Sequence, residues 1–323
     1  MNPPPEARQG LREAGVELVL NPHHQVLTEE DLLALLPGFD AVIAGPEPYS
    51  DSVISTASPR LRIIARTGVG YDKVDVASAS RNGVFVTWTP IPELSSSVAD
   101  LAIALILALV KKVPRLNAEV RMGKWDRQKW SDEVGDLRGK TLGLLGMGRI
   151  GGEVAVRARA FGMNLIYNDV VRMEELEKKL PAEFVSLERL LSDSDVLSVH
   201  VPLTADNRGI IDAVALRKMK RTAILVNTSR GELVDEEALA EALTSGEIAG
   251  AGLDVLSQEP PAPGHVFYNL GERIPNLILT GHVAFGRDTV RAMFMAACDD
   301  VKRVMSGEDP KYLLNPGLTR RSA

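Results

Sequence analysis

Apolar segments of strand length alternate with amphipathic segments along most of the chain. In the first third, this pattern predicts strands at 16–20, 41–44, 61–65 and 84–87, with helices at 28–36 and 50–57. Strands that alternate with helices along a chain form parallel sheets with right-handed crossovers. The first third therefore predicts a small α/β domain.

A second alternating series begins near residue 139 and is long enough for a complete doubly wound domain. Its strands are predicted at 141–145, 164–168, 196–200, 223–227, 249–253 and 277–280, and its helices at 150–161, 173–180, 213–219 and 235–245. The stretch 89–97 breaks the pattern before this series. A long apolar helix at 98–113 and a polar arm with two tryptophans at 121–130 follow that break.

The chain ends with one more amphipathic helix, predicted at 288–305. Because little chain remains after it, we expect this helix to pack on the first domain. The pattern thus predicts a second domain at 96–287 that is inserted in a first domain made of 1–95 and 288–323.

A glycine-rich sequence, G-x-G-x-x-G, lies between the predicted strand 141–145 and the helix that follows it. Gly146 permits a tight turn, Gly148 lets the backbone approach a pyrophosphate, and Gly151 lets helix and strand pack closely. The helix N-terminus offers free N–H groups to phosphates, and Arg149 can add a charge-assisted contact. We interpret this turn as a dinucleotide site, and the alternative is a tight turn without a ligand.

An acidic residue, Asp169, closes the next predicted strand. A carboxylate at that position accepts hydrogen bonds from the ribose hydroxyls and repels a 2′-phosphate, which favours NAD over NADP. The neighbouring Arg172 weakens that preference, and Asp169 alone is also a candidate helix N-cap.

Three further polar groups follow apolar strands, where open α/β sheets form ligand crevices. Arg230 can bind a carboxylate through two hydrogen bonds. His282 titrates near neutral pH and can exchange a proton, while Glu259 can fix its tautomer. Spacing alone leaves other interpretations open: Arg230 as a surface charge, Glu259 as a loop acid and His282 as a buried core histidine.

Composition and charge narrow the class of protein. The chain has 323 residues, 45% hydrophobic and 25% charged, which is ordinary for two globular domains. Its net charge of −6 gives no overall electrostatic case for binding nucleic acid. The apolar run 101–110 is shorter than the roughly 20 residues that cross a bilayer, so we expect no membrane segment. The single cysteine, Cys298, suits a cytoplasmic protein, and no histidine spacing predicts a metal site.

The order of these motifs resembles one known family. GMGRIG, Asp169, HVPLT at 200–204, NTSRG, AGLDV, Glu259-Pro260 and a late His282 occur as in the D-isomer-specific 2-hydroxyacid dehydrogenases. The resemblance runs from RTGVGYDKVD at 66–75 to the final helix and is strongest to the glyoxylate/hydroxypyruvate reductase side of the family. It implies two doubly wound domains, with a Rossmann NAD-binding domain inserted in a flavodoxin-like substrate domain. It also implies a homodimer joined through the NAD-binding domain.

The same resemblance implies roles for individual residues. Arg230 would bind the substrate carboxylate and carbonyl, His282 would be the acid/base, and Glu259 its partner. The backbone N–H groups of Val69 and Gly70 would hold the substrate carboxylate.

For the cofactor NAD, the resemblance implies one group of residues around the nicotinamide and another around the pyrophosphate. Asp254 would bond the nicotinamide carboxamide, and Val201 and Thr228 would line the cofactor, with His282 next to it. Arg149 and Ile150 would cover the pyrophosphate, beside the three glycines.

The chain departs from the family pattern at two points. Relatives begin with a strand before the helix that here starts near Pro5, and this sequence shows no such strand. Relatives place proline before the catalytic histidine, whereas this chain has Gly281 there. The implied activity is NAD(H)-dependent reduction of a small 2-oxo acid. The alternatives are a D-3-phosphoglycerate dehydrogenase and an NAD(H)-sensing, corepressor-like protein of the same fold.

Overall fold

The structure is a computed structural model that describes residues 3–23, 25–58, 60–270 and 276–318. It divides into two compact units, one made of 1–94 with 285–323 and the other of 95–284. The strands are β1 (Ala41–Ala44), β2 (Ile63–Arg66), β3 (Phe85–Thr87), β4 (Thr141–Leu145), β5 (Asn164–Asn168), β6 (Ala182–Phe184), β7 (Val196–Val199), β8 (Ile224–Asn227), β9 (Gly250–Leu253) and β10 (Leu277–Leu279). 

The helices follow in the same order along the chain. They are α1 (Pro5–Glu13), α2 (Glu29–Leu35), α3 (Asp51–Ala57), α4 (Val76–Arg81), α5 (Pro92–Val110), α6 (Val113–Arg121), α7 (Arg127–Glu133), α8 (Arg149–Ala160), α9 (Glu174–Glu177), α10 (Leu187–Asp193), α11 (Ala213–Lys218), α12 (Glu236–Ser245), α13 (Val266–Leu270) and α14 (Arg287–Met305). Two short 3-10 helices span Leu36–Gly38 and Gly231–Leu233.

The first unit is built on a three-stranded parallel sheet in the order β1-β2-β3. Alternate residues of β2 face opposite sides, because side chains alternate along a strand. Ile64 joins the core formed with α2, α3 and α4, whereas Ile63 and Ala65 join the core formed with α1 and α14. The last helix therefore packs on the first unit, as its position in the sequence predicts.

The strand predicted at 16–20 is wrong, because this segment forms no ladder with the sheet. Val16 and Leu18 pack against the core, while Val19 and Leu20 are exposed. Its short apolar run suits a strand, but a strand also needs a hydrogen-bonded neighbour. The described residues before Ala41 contain no strand.

The second unit contains a seven-stranded parallel sheet in the order β10-β9-β8-β7-β4-β5-β6. The chain starts in the middle at β4 and builds outward in both directions, which places a topological switch point between β4 and β7. All six strands predicted for this region are present to within one residue. The sequence analysis did not predict the edge strand β6 or helix α10. Strand β6 is only three residues long and carries an exposed Glu183, so its apolar pattern is weak.

The apolar helix α5 packs on this sheet through two of its strand glycines. A Cβ at Gly250 or Gly252 would lie 3.3 Å or less from a Leu105 or Leu109 side chain. The absence of side chains at these two glycines therefore lets α5 pack closely on the sheet. Within the described ranges α5 is the one helix long and apolar enough to cross a membrane, with a mean hydropathy of 1.9. Half of that stretch is buried inside the fold, which is the behaviour of a core helix.

Candidate active site

The strand register of the second unit brings the carboxyl ends of its strands into line. The aligned strand ends are Leu145, Asn168, Val199, Asn227, Leu253 and Leu279. The polar groups that the sequence places just after these strands therefore share one edge of the sheet, where α/β folds bind their ligands.

The glycine loop between β4 and α8 has the shape of a phosphate site. Gly146 has a φ of +96°, and a Cβ there would lie 2.8 Å from the backbone of His200 and Val201. A Cβ at Gly151 would lie 2.2 Å from the carbonyl oxygen of Gly146. Gly148, by contrast, has open space around it, so a ligand's phosphates can approach its backbone.

The first turn of α8 adds donors to this open space. The helix begins at Arg149, and the first amides of a helix have no acceptor within it. Arg149 is exposed at this end, while Ile150 packs partly against the core of the unit. The N–H groups and the positive end of the helix dipole could hold a pyrophosphate there.

Asp169 lies directly beside the glycine loop. Its carboxylate accepts hydrogen bonds from the amides of Met147, at 2.8 Å, and Val170, at 2.7 Å. The next helix begins at Glu174, so Asp169 is not its N-cap. Arg172 is bound to Glu177 through a 2.8 Å ion pair.

Two buried oxygens at the same edge have no partner among the described residues. They are Oγ1 of Thr228 and Oδ2 of Asp254, whose residue is 1% exposed. The other carboxylate oxygen of Asp254 accepts hydrogen bonds from the Thr280 hydroxyl and the Val283 amide. Unpaired buried polar atoms are costly, and a ligand carboxamide would supply the missing donors. The residues present thus fit a nicotinamide nucleotide.

Val201 lies between the glycine loop and β8. Its amide nitrogen faces Gly146, and its carbonyl oxygen accepts a 2.5 Å hydrogen bond from the Ser229 hydroxyl. This contact joins two of the loops at the strand ends.

His282 and Glu259 are in direct contact. The His282 Nδ1 atom lies 2.6 Å from Oε2 of Glu259, and the Leu256 amide donates to the other carboxylate oxygen at 3.0 Å. His282 has a φ of +55° and is held by its amide, which donates to the Asp254 carbonyl. Its side chain is 41% exposed, so the interpretation as a buried core histidine is wrong.

Glu259 is held in its ionised form. Burial alone would raise its pKa, but the hydrogen bonds from His282 and Leu256 and the charges of His282 and Arg230 lower the pKa of this carboxyl below its usual value. Arg230 therefore lies within electrostatic reach of Glu259. Its guanidinium also donates to the Ser229 carbonyl at 2.7 Å.

Close packing brings Arg230 to the loop that carries Glu259. A Cβ at the next residue, Gly231, would lie 2.0 Å from the Leu256 carbonyl carbon, so only glycine fits there. This packing and the charge interaction place Arg230 near the carboxylate that contacts His282.

Glu236, which the sequence analysis does not single out, secures the same loop. Its carboxylate accepts hydrogen bonds from the Ser257 amide at 2.8 Å and the Ser257 hydroxyl at 2.6 Å, and lies 3.0 Å from Nε2 of His265. The partners lie 21 and 29 residues away along the chain, and no local pattern connects them.

Val69 and Gly70 lie in the first unit, in the turn after β2. The buried Arg66 side chain donates to the Gly70 carbonyl at 2.7 and 2.9 Å, and the Gly68 amide donates to the Thr89 hydroxyl at 2.6 Å. These bonds fix the turn's shape. Within the described ranges, no three His, Cys, Asp or Glu side chains are placed to hold a metal ion.

His200 makes the stability of this edge depend on pH. Burial lowers its pKa from 6.5 to about 4, and its Nε2 atom lies 2.8 Å from the Ser198 hydroxyl. The unfolded chain binds a proton here more readily than the folded one, so stability is lost as the pH falls from about 6.5 to about 4. We expect this group to contribute about 2–3 kcal/mol to that loss.

Urea unfolding at about pH 7 and about pH 4.5 measures this term. His200→Asn should retain less of the pH dependence than the unmodified protein, whereas the exposed His23→Asn should keep all of it. If the free energy of unfolding changed equally with pH in His200→Asn and in the unmodified protein, protonation of His200 would not contribute to the loss of stability.

Comparisons with known proteins agree with this geometry. The family model described as "D-isomer specific 2-hydroxyacid dehydrogenase, NAD binding domain" matches residues 103–284. A glyoxylate reductase of Korarchaeum cryptofilum is 43% identical, over 87% of this chain and 84% of its own. A D-3-phosphoglycerate dehydrogenase of Archaeoglobus fulgidus is 35% identical, over 96% of this chain but 57% of its own. The crystal structure of a glyoxylate reductase from Paecilomyes thermophila is 32% identical, covers 96% of this chain and 94% of its own, and superposes with a TM-score of 0.83.

Proposed function

Because the chain belongs to the D-isomer-specific 2-hydroxyacid dehydrogenases, we propose that it acts as a glyoxylate/hydroxypyruvate reductase. The family's enzymes are NAD-dependent oxidoreductases that act on CH–OH groups, and this chain is one of them. The 2.6 Å contact between His282 and Glu259 supports the reduction of a 2-oxo acid. The narrower substrate class is supported by the 43% identity to the glyoxylate reductase of Korarchaeum cryptofilum. The relative named phosphoglycerate dehydrogenase is less similar, which makes that activity the weaker alternative.

The bound reduced nicotinamide supplies the hydride, and the protein supplies binding and the proton. Asp254 and Thr228 accept hydrogen bonds from the carboxamide through their unpaired oxygens and so fix the orientation of the ring. The glycine loop and the first turn of α8 bind the pyrophosphate. Asp169 accepts hydrogen bonds from the ribose hydroxyls.

On the substrate, Arg230 binds the carboxylate and polarises the carbonyl, which makes the carbonyl carbon a better hydride acceptor. In the first unit, the backbone N–H groups of Val69 and Gly70 are proposed to bind a substrate carboxylate. His282 donates a proton from Nε2 to the carbonyl oxygen, because Nδ1 is engaged by Glu259. The ionised Glu259 stabilises the imidazolium before that transfer.

The direct test is the loss of NADH absorbance with glyoxylate, hydroxypyruvate and pyruvate as substrates. We expect turnover with the first two at least tenfold above pyruvate in kcat/KM, on the order of one discriminating contact. Binding of NADH without turnover of any 2-oxo acid would contradict the proposal. That result would favour the NAD(H)-sensing, corepressor-like alternative.

Asp169 is proposed to set the cofactor preference. Asp169→Ser removes the carboxylate that pairs with the ribose and repels a 2′-phosphate, so we expect NADH to bind about 10- to 100-fold more weakly relative to NADPH. The ratio of KM values for the two cofactors measures this. Glu174→Gln, an exposed carboxylate nearby, is the control and should leave the ratio unchanged. An unaltered ratio in Asp169→Ser would remove this role.

We propose a homodimer, supported by the surface of the helical arm. Helix α6 has no buried residue, and an apolar group is exposed along and after it, namely Val113, Val120, Met122 and Trp125. Trp125 is 79% exposed, and an exposed apolar group of this kind is typical of a surface that a second copy covers.

Trp125→Glu combined with Met122→Glu should convert the dimer to a monomer, as measured by light scattering after size exclusion. Val214→Glu replaces an exposed valine on α11 and should not alter the mass. A monomeric unmodified protein would contradict the proposal. We also place the protein in the cytoplasm, because its one cysteine, Cys298, cannot form an internal disulfide and so suits a reducing compartment.

A further inference from the structure

The loop that follows β1 carries a carboxylate with an unsatisfied oxygen. Glu47 is half-buried, and its Oε2 atom is buried with no hydrogen-bond partner in the described part of the chain. An unpaired buried acceptor destabilises a fold, and more so when it belongs to a charged group. A ligand that donates a hydrogen bond would remove that cost.

Contacts within the loop fix the direction of this carboxylate. The buried Tyr49 hydroxyl hydrogen-bonds the Glu47 side chain, and burial, with the Glu47 charge, raises the pKa of Tyr49, which therefore remains a donor. The carboxylate lies over Gly45, where a Cβ would stand 3.0 Å from Oε2.

This loop leaves the sheet beside the turn that carries Val69 and Gly70. Ala44 and Arg66 are paired at the ends of the parallel strands β1 and β2, so the two loops begin at the same edge. Arg66 links them, because its guanidinium donates to the Gly70 carbonyl at 2.7 Å and to the Ala44 carbonyl at 3.4 Å.

Backbone hydrogen bonds join the two loops further along. The Tyr49 amide donates to the Lys73 carbonyl at 2.7 Å, and the Asp75 amide donates to the Tyr49 carbonyl at 2.9 Å. The residue that orients Glu47 is thus fastened to the segment that is proposed to bind the substrate. All of these contacts lie within the first unit.

We propose that Glu47 determines substrate specificity by accepting a hydrogen bond from a hydroxyl on the carbon next to the substrate's carbonyl. The assignment rests on the proposed function, which places a 2-oxo acid at Val69 and Gly70. A hydroxymethyl group, as in hydroxypyruvate, satisfies Oε2. A methyl group, as in pyruvate, leaves it unpaired, and a carboxylate or phosphate at this position is repelled by the negative charge.

Two variants separate the hydrogen bond from the charge. Glu47→Leu removes both, and we expect the hydroxypyruvate-to-pyruvate ratio of kcat/KM to fall about 10- to 100-fold. Glu47→Gln keeps an acceptor but removes the charge, and the oxaloacetate-to-pyruvate ratio should rise about tenfold or more. Glu30→Gln, an exposed carboxylate on α2, is the control for both ratios.

The outcomes are distinct. A hydroxypyruvate-to-pyruvate ratio in a folded Glu47→Leu within about twofold of the unmodified enzyme overturns the assignment and leaves the proposed function intact. If Glu47→Leu does not fold, an unchanged oxaloacetate-to-pyruvate ratio in Glu47→Gln overturns it instead. Failure of the unmodified protein to reduce any 2-oxo acid overturns the proposed function and this assignment together.

Discussion

Replacing His282 by asparagine is expected to lower kcat for glyoxylate reduction by about 10²- to 10⁴-fold, the usual contribution of a positioned general acid. Asparagine is close in size to the ring but has no proton to give at neutral pH. Because proton transfer accompanies hydride transfer, the loss should fall on kcat and kcat/KM alike. Steady-state kinetics with saturating NADH measure it.

His23→Asn is the matched control, because this exposed histidine lies in a loop of the first unit and has no role in the mechanism. Glu259→Gln should be milder than His282→Asn. Without the carboxylate, the imidazole loses the contact that orients its ring, so we expect kcat to fall while His282 can still donate a proton. Full activity of His282→Asn would exclude His282 as the proton donor.

The glycine loop shows what local sequence can predict. Its glycines are required by contacts that lie within a few residues or at the next strand end, such as Gly151 against the Gly146 carbonyl. Such local requirements produce a short glycine spacing between a strand and a helix, which can be recognised in the sequence. For the same reason, strands β4 to β10 of the large sheet were predictable wherever their apolar runs are long, and β6 was not.

The segment 16–20 shows the limit of such patterns. Its apolar run has the length of a strand, yet its conformation depends on whether a neighbouring strand exists. That neighbour is not encoded in the segment itself. Tertiary context therefore decides between a strand and an irregular segment, and local pattern does not.

The site residues divide in the same way. His282 and Glu259 are 23 positions apart, and only the chemistry each offers and the resemblance of the motif order suggested that they meet. Glu236 and Glu47 belong to no motif. The structure singles out Glu236 because three donors surround its carboxylate, and Glu47 because one of its carboxylate oxygens has no donor among the described residues. Both features exist only in the folded chain.

Arg230→Ala should lower kcat/KM for glyoxylate by about 10³-fold, because a paired carboxylate contact is worth about 2–5 kcal/mol when one partner is removed. Arg230→Lys keeps the charge but loses the planar pair of donors, and we expect about 10²-fold. The carboxylate is bound before and during the reaction, whereas the carbonyl is polarised chiefly in the transition state, so both KM and kcat should change.

The two variants together distinguish a contact made by two hydrogen bonds from attraction to a single positive charge. Arg208→Lys, at an exposed position after β7, is the control and should retain the activity of the unmodified enzyme. If Arg230→Lys were as active as the unmodified enzyme, a point charge would suffice and two-pronged recognition of the carboxylate would be refuted. If Arg230→Ala were fully active, the substrate would be held by other groups, and the Val69–Gly70 turn would have to account for its binding alone.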